Sequence, residues 1–157
     1  MKVEFWMIGK TDAPYLQTGT QLYAKRLARY LPFQSVVWQS PKGLKNAAPA
    51  QVKQKEGELL LSKLKKDDFL ILLDEKGKSF TSEAFAKFLE HKLQLSYKRL
   101  IFQVGGAFGF SEAVYQRANG KLALSEMTFS HQMVRLFFLE QLYRAMTILK
   151  NEPYHNS

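Results

Sequence analysis

The sequence predicts an α/β domain whose sheet is mainly parallel and flanked by helices. Three observations carry this. Short apolar runs alternate with longer amphipathic ones along all 157 residues. Two of the runs, FLILLD (Phe69–Asp74) and RLIFQV (Arg99–Val104), are nearly continuous in apolar residues, the pattern of strands covered on both faces. The runs also end in glycine, serine or an acid, residues suited to the carboxyl edge of a parallel sheet, where ligands bind in such folds.

Taken in order, Val3–Ile8 reads as a buried strand ending at Gly9. After Pro14, YLQTGTQLYAKRLARYL spaces Leu16, Leu22, Tyr23, Leu27 and Tyr30 as an amphipathic helix does. QSVVWQ (Gln34–Gln39) is a second strand. Ser40–Ala50 carries two prolines, a glycine and two lysines and reads as a loop, with Pro49 suited to opening the next helix. That helix is QVKQKEGELLLSKLKK, followed by the strand Phe69–Asp74 and a turn at EKGKSF. TSEAFAKFLEHKLQ starts with hydroxyl residues fit to cap a helix. The strand Arg99–Val104 then runs into GGAFGF, and Ser111 caps the short helix EAVYQRA. KLALSEM (Lys121–Met127) is the last strand, and a final helix runs from about Ser130 to Lys150 before the tail NEPYHNS. No repeat or linker divides the chain, so residues 1–157 are expected to form one domain.

A hydrophobic content of 46% with 24% charged residues is that of a folded chain rather than a disordered one. The net charge of +9 points to an anionic partner, with nucleic acid the first candidate. The absence of cysteine excludes disulfides and thiolate metal sites. MKVEFWMIGK lacks the apolar segment and cleavage site of a signal peptide, and no uncharged run approaches the ~18 residues of a membrane span. The cytoplasm is the expected compartment.

Several motifs dissolve on inspection. Gly77-Lys78-Ser79 resembles the end of a phosphate-binding loop, but the glycine required five residues earlier is Leu72. The glycines of VGGAFGF, at 105, 106 and 109, do not match the dinucleotide spacing, although glycines at a strand end still let a ligand reach the backbone. His91, His131 and His155 stand at no metal-ligand spacing, and no G-x-S-x-G elbow supplies a nucleophile. The C-terminal helix is apolar around nearly its whole circumference, which predicts burial on two sides: the sheet on one, a second copy of the chain on the other. Within it, His131 and Arg135 are four apart, as are Glu140 and Arg144, so each pair shares a face. At the least, Glu140 and Arg144 form a helix ion pair worth ~0.3–0.5 kcal/mol; in a buried interface, the guanidinium becomes a fixed group facing a cleft.

LLDEKGK, FQVGGAFGF and LALSEMTFSHQMVRLFFLEQLYRAMTILKNEPYH together resemble the ribosomal RNA large subunit methyltransferase H family of the SPOUT superfamily, over essentially the whole chain. The resemblance implies S-adenosylmethionine-dependent methylation of N3 of a pseudouridine in 23S rRNA of the assembled ribosome, without a metal. It also implies a homodimer and a C-terminal trefoil knot around the methyl donor. Carried over by motif, donor contacts fall on Leu73, Gly105 and the run Leu124, Ser125, Glu126, Met127, Thr128 and Phe129. Tyr154, His155 and Arg144 are then the residues expected at the acceptor base, with His155 the proton acceptor; His131, Arg135 and Glu140 are expected on the dimer side of the cleft. Two departures stand out: Ser130 where the family commonly has proline, and the ending Asn156-Ser157 where a basic residue is usual. The competing readings are another SPOUT enzyme, such as a tRNA ribose 2′-O-methyltransferase, and a basic RNA-binding protein without catalysis.

Overall fold

A computed structural model describes residues 1–156. Its sheet contains β1 (Lys2–Ile8), β2 (Phe33–Trp38), β3 (Asp68–Ser79), β4 (Arg99–Val104) and β5 (Gly120–Ala123), in the order β2-β1-β4-β3-β5. Every pairing is parallel. The intervening helices are α1 (Pro14–Leu27), α2 (Pro49–Lys63), α3 (Ser82–Leu93) and α4 (Glu112–Arg117), and α5 (Met133–Leu149) follows β5.

The continuous apolar strands are explained by two cores. Ile71 and Leu73 face one side, with Phe5 and Phe102, against Leu27 of α1, Phe85 and Leu89 of α3, and Phe138 and Leu142 of α5. Leu70 and Leu72 face the other, with Trp6 and Ile101, against Leu60 of α2 and Val114 of α4. Side chains of a strand alternate between faces, so a strand with two cores is mostly apolar on both; the exception in β4 is Gln103, fully buried and donating to Val104 O at 2.7 Å. Helix starts follow the local chemistry. Pro14 and Pro49 open α1 and α2. The Thr81 and Ser111 side chains accept from the N–H groups of Ala84 and Val114 to cap α3 and α4.

Three boundaries differ from the sequence reading. EKGKSF does not turn the chain: β3 continues to Ser79, and both Leu73 and Lys78 pair with Leu122, so residues 74–77 bulge outward. Gly77 permits this, because a Cβ there would lie 2.6 Å from Leu122 N and from the Lys121 carbonyl carbon. The last strand stops at Ala123 rather than Met127, and the last helix starts at Met133 rather than Ser130. The residues between them, 124–132, leave the sheet as irregular chain. From the edge strand β5 this segment crosses the carboxyl ends of β3 and β4 to reach β1, where α5 begins.

Candidate active site

Three strand ends enclose a cavity of about 500 Å³. Leu73 to Lys76 contribute the β3 bulge, Val104 to Phe110 the glycine loop after β4, and Leu122 to Ser125 with Met127 to His131 the end of β5 and the crossing segment that follows it. Of the eight residues expected to contact a donor, Leu73, Gly105, Leu124, Ser125, Met127, Thr128 and Phe129 all line it. Glu126 does not. The Met127 N–H donates to Ser125 Oγ at 3.0 Å, and this tight turn leaves Glu126 exposed to solvent.

Each wall is tied to the next. Thr128 Oγ1 donates to Glu75 Oε2 at 3.0 Å, joining the crossing segment to the bulge. Asp74 sits where the bulge begins: its carboxylate accepts from the Lys76 N–H at 2.8 Å and from the Tyr115 hydroxyl. Burial, and then the bond to Asp74, push the Tyr115 phenol well above the ordinary tyrosine range, so it remains a protonated donor. In the glycine loop, the Gly109 N–H donates to Gly106 O at 3.2 Å, with Gly109 at φ +84°. This closes a tight turn that carries Ala107 and Phe108 at its tip. Ser130 has a local function: its Oγ accepts from the Met133 N–H at 3.0 Å, so serine steadies the start of α5 by a side-chain bond.

Two expectations about the last helix need correction. His131 lines the cavity, but it precedes α5, so it does not share a helix face with Arg135. Arg135 is not a cleft residue at all. It is 2% exposed and donates to Ile8 O at 3.1 Å, Gly9 O at 2.8 Å and Thr11 Oγ1 at 3.2 Å. Burial pulls its pKa below the ordinary value. Strand β1 ends with free carbonyls beneath α5, and a planar guanidinium satisfies several at once. Gln132 adds a second stitch, accepting from Asp12 N at 2.9 Å and donating to Lys10 O at 3.3 Å.

The remaining polar residues assemble elsewhere. Glu140 Oε1 accepts from Arg144 at 2.6 Å and from the Tyr154 hydroxyl at 2.9 Å. Arg144 also donates to His155 Nδ1 at 2.9 Å, which leaves Nε2 carrying the hydrogen that faces Glu83 Oε1 at 2.8 Å. The Arg144 guanidinium lies 4.9 Å from the centre of the Tyr154 ring. Glu140 holds the Arg144 pKa above its ordinary value, and burial, with bonds to Tyr23 and Glu140, raises that of Tyr154. Glu140, Arg144, Tyr154 and His155 therefore form one cluster, but none of them lines the cavity of their own chain. The tail folds back on α5 and α3 instead of closing over that cavity. Ser157 lies outside the described residues. Among the described residues, no group of His, Asp or Glu side chains stands together to hold a metal ion, and no helix is long and apolar enough to cross a membrane.

A family model described as "Predicted SPOUT methyltransferase" matches residues 1–155. The chain belongs to the SPOUT methyltransferase family. Among its relatives, the protein of Parabacteroides distasonis is 56% identical over 156 residues, covering 99% of both chains. That of Christiangramia forsetii is 52% identical and that of Porphyromonas gingivalis 42%, with the same coverage. All three bear the name ribosomal RNA large subunit methyltransferase H.

Within this SPOUT chain, Asp74, Phe108, Phe110 and Tyr115 also line the cavity, and none of them was singled out as a site residue from sequence. Tyr115 had one legible signal. It stands four residues after the cap Ser111, one turn along a short helix that follows the glycine loop.

Proposed function

We propose that this chain is an S-adenosylmethionine-dependent methyltransferase acting on N3 of a pseudouridine in 23S rRNA within the ribosome. The single observation that carries this reading is the convergence of seven motif-assigned residues from three strand ends on one cavity. The cavity also fits such a donor. Its volume of about 500 Å³ is within the range of small-molecule sites. Apolar Leu73, Val104 and Leu124 stand beside the Asp74 carboxylate and the backbone of the 124–129 run. When bound, S-adenosylmethionine supplies an electrophilic methyl group on a sulfonium, so no metal is required.

The chain's own task is alignment, exclusion of water and handling of one proton. Leu73, Gly105, Leu124, Ser125, Met127, Thr128 and Phe129 hold the donor. Arg144, Tyr154 and His155 meet the acceptor base, His155 taking the N3 proton once its contact with Arg144 is exchanged for the base. That cluster and the cavity are apart within one chain, so the reading requires a homodimer in which one subunit's tail serves its partner's cavity. Met133 and Phe137, 38% and 41% exposed on α5, supply an apolar face for that pairing. Chain 124–149, crossing from the sheet edge back to β1, is the segment that would be knotted. The whole of residues 1–157 acts as one domain, in the cytoplasm, where the ribosome is.

The test is a methyl-transfer assay comparing intact ribosomes, isolated large subunits and naked rRNA that lack the modification, with the methylated atom mapped. Transfer to N3 on ribosomes supports the reading. Transfer to a ribose hydroxyl, to tRNA, or to nothing overturns it.

A further inference from the structure

The glycine loop presents an aromatic ring that neither core explains. Phe108 is 49% exposed at the tip of the turn closed by Gly106 and Gly109, and it lines the mouth of the cavity. The neighbouring rings are partnered: Phe110 meets Tyr115 edge-on at 5.8 Å, and Phe129 packs on Phe137 at 5.2 Å. Phe108 forms no aromatic pair among the described residues. A lone exposed apolar side chain is ordinary on a surface. Here, however, a hydrogen-bonded turn on two glycines holds it out at the entrance to a site.

The surroundings narrow what that ring would meet. Met127, 77% exposed, is a second apolar side chain on the cavity wall, contributed by the crossing segment. Its thioether is a soft partner for a flat ring. Lys76, exposed on the cavity wall, carries the charge that suits a phosphate backbone, and His131, also exposed there, offers a ring nitrogen for a hydrogen bond to it. A flat aromatic group flanked by phosphates is an unstacked nucleobase. Such bases are recognised by stacking on aromatic side chains, and a base must leave its stack before chemistry can reach it.

We infer that Phe108 is the stacking platform for the acceptor base, a substrate-positioning residue that holds the flipped nucleotide at the cavity mouth. The inference rests on the reading of this cavity as the donor site of an RNA methyltransferase. It makes the glycine loop two-sided in function. Its backbone borders the donor, and its tip receives the acceptor.

The test uses the full-length protein, unmodified ribosomes and tritiated S-adenosylmethionine. Phe108→Ala is expected to raise the ribosome KM roughly ten- to a hundred-fold, the scale of one lost base–aromatic stack. The Kd for S-adenosylmethionine, read by calorimetry, should not move. Phe108→Tyr should keep the wild-type KM, while Phe108→Leu, apolar but without a π-face, should behave like the alanine variant. A comparable loss of donor affinity in Phe108→Ala would overturn the inference by placing the ring in the donor pocket, as would a leucine variant equal to tyrosine or an unchanged KM. If wild type binds no donor and transfers no methyl group, the underlying reading fails as well.

Discussion

Gly77→Ala tests how the cavity is built. In the bulge of β3 the chain runs so close to β5 that an added Cβ would meet Leu122 N and Lys121 C at 2.6 Å and Leu122 C at 2.8 Å. These lie about 0.7–0.9 Å inside the ~3.5 Å optimum for non-bonded heavy atoms. All three are backbone, so no rotamer change relieves them. Overpacking of this kind costs about 1–3 kcal/mol, and the upper half applies when backbone must move. For a chain of this size, about 2–3 kcal/mol lowers Tm by roughly 4–12 °C. Relief comes by pushing β5 outward, which displaces Leu124 and Ser125 and weakens donor binding as well. Gly120→Ala is the control on the same pair of strands. No atom lies within 4 Å of its Cβ position, so that change should be neutral or stabilise by up to about 1 kcal/mol. Thermal denaturation and donor calorimetry on both variants give the answer. A Gly77→Ala variant with wild-type Tm and wild-type donor affinity would refute the account of the bulge.

Further outcomes follow from the same contacts. Arg135→Met should lower stability by about 1–3 kcal/mol, because the Ile8 and Gly9 carbonyls lose a buried donor; Arg135→Lys should recover only part, one ammonium replacing a planar fork. Tyr115→Phe removes the hydroxyl that holds Asp74. It should cut donor affinity by up to about tenfold while Tm stays close to wild type, as expected for a partly exposed charge-assisted bond. Burial raises the Glu56 pKa above the ordinary value, and Glu56 has no hydrogen-bond or ion-pair partner among the described residues. The fold thus favours its neutral form. This contribution is full below the unfolded-state value of ~4.3 and is lost as pH rises through the raised folded value. Glu56→Gln should therefore match wild type at acid pH and exceed it in Tm above that window; a difference that does not vary with pH would contradict this.

Much of the fold was legible because both cores lie on one sheet. FLILLD is apolar on both faces up to Asp74, and RLIFQV departs from that only at Arg99 and the buried Gln103, the pattern of a doubly covered parallel strand. Ser111 and Pro49 announced their helices through capping and a preset φ, which are local effects. What failed was non-local. Nothing in EKGKSF says that the chain will rejoin β5 after a bulge, because the reason lies in the backbone of Leu122 opposite Gly77. Likewise, the spacing of His131 and Arg135 described a helix face, but the helix starts at Met133. Arg135 is claimed by carbonyls of β1, more than a hundred residues away. The seven expected donor-contact residues on the cavity wall were reachable through the family motif, whereas Asp74 and Phe108 required the fold and Tyr115 was marked only by its place one turn after Ser111. The tail cluster divides the same way: Glu140 and Arg144, four apart, were paired by their spacing, whereas Tyr154 and His155, ten and eleven residues from Arg144, reach the same guanidinium only because the tail folds back.

The central claim is that the three strand ends form a methyl-donor pocket. The most direct measurement is a crystal structure of the protein with S-adenosylhomocysteine, the demethylated donor. The account predicts density bounded by Leu73, Gly105, Leu124, Ser125, Met127, Thr128 and Phe129, beside Asp74. Density in the smaller hollow beside Phe80 and Phe137, or a cavity left empty at saturating ligand, would contradict it.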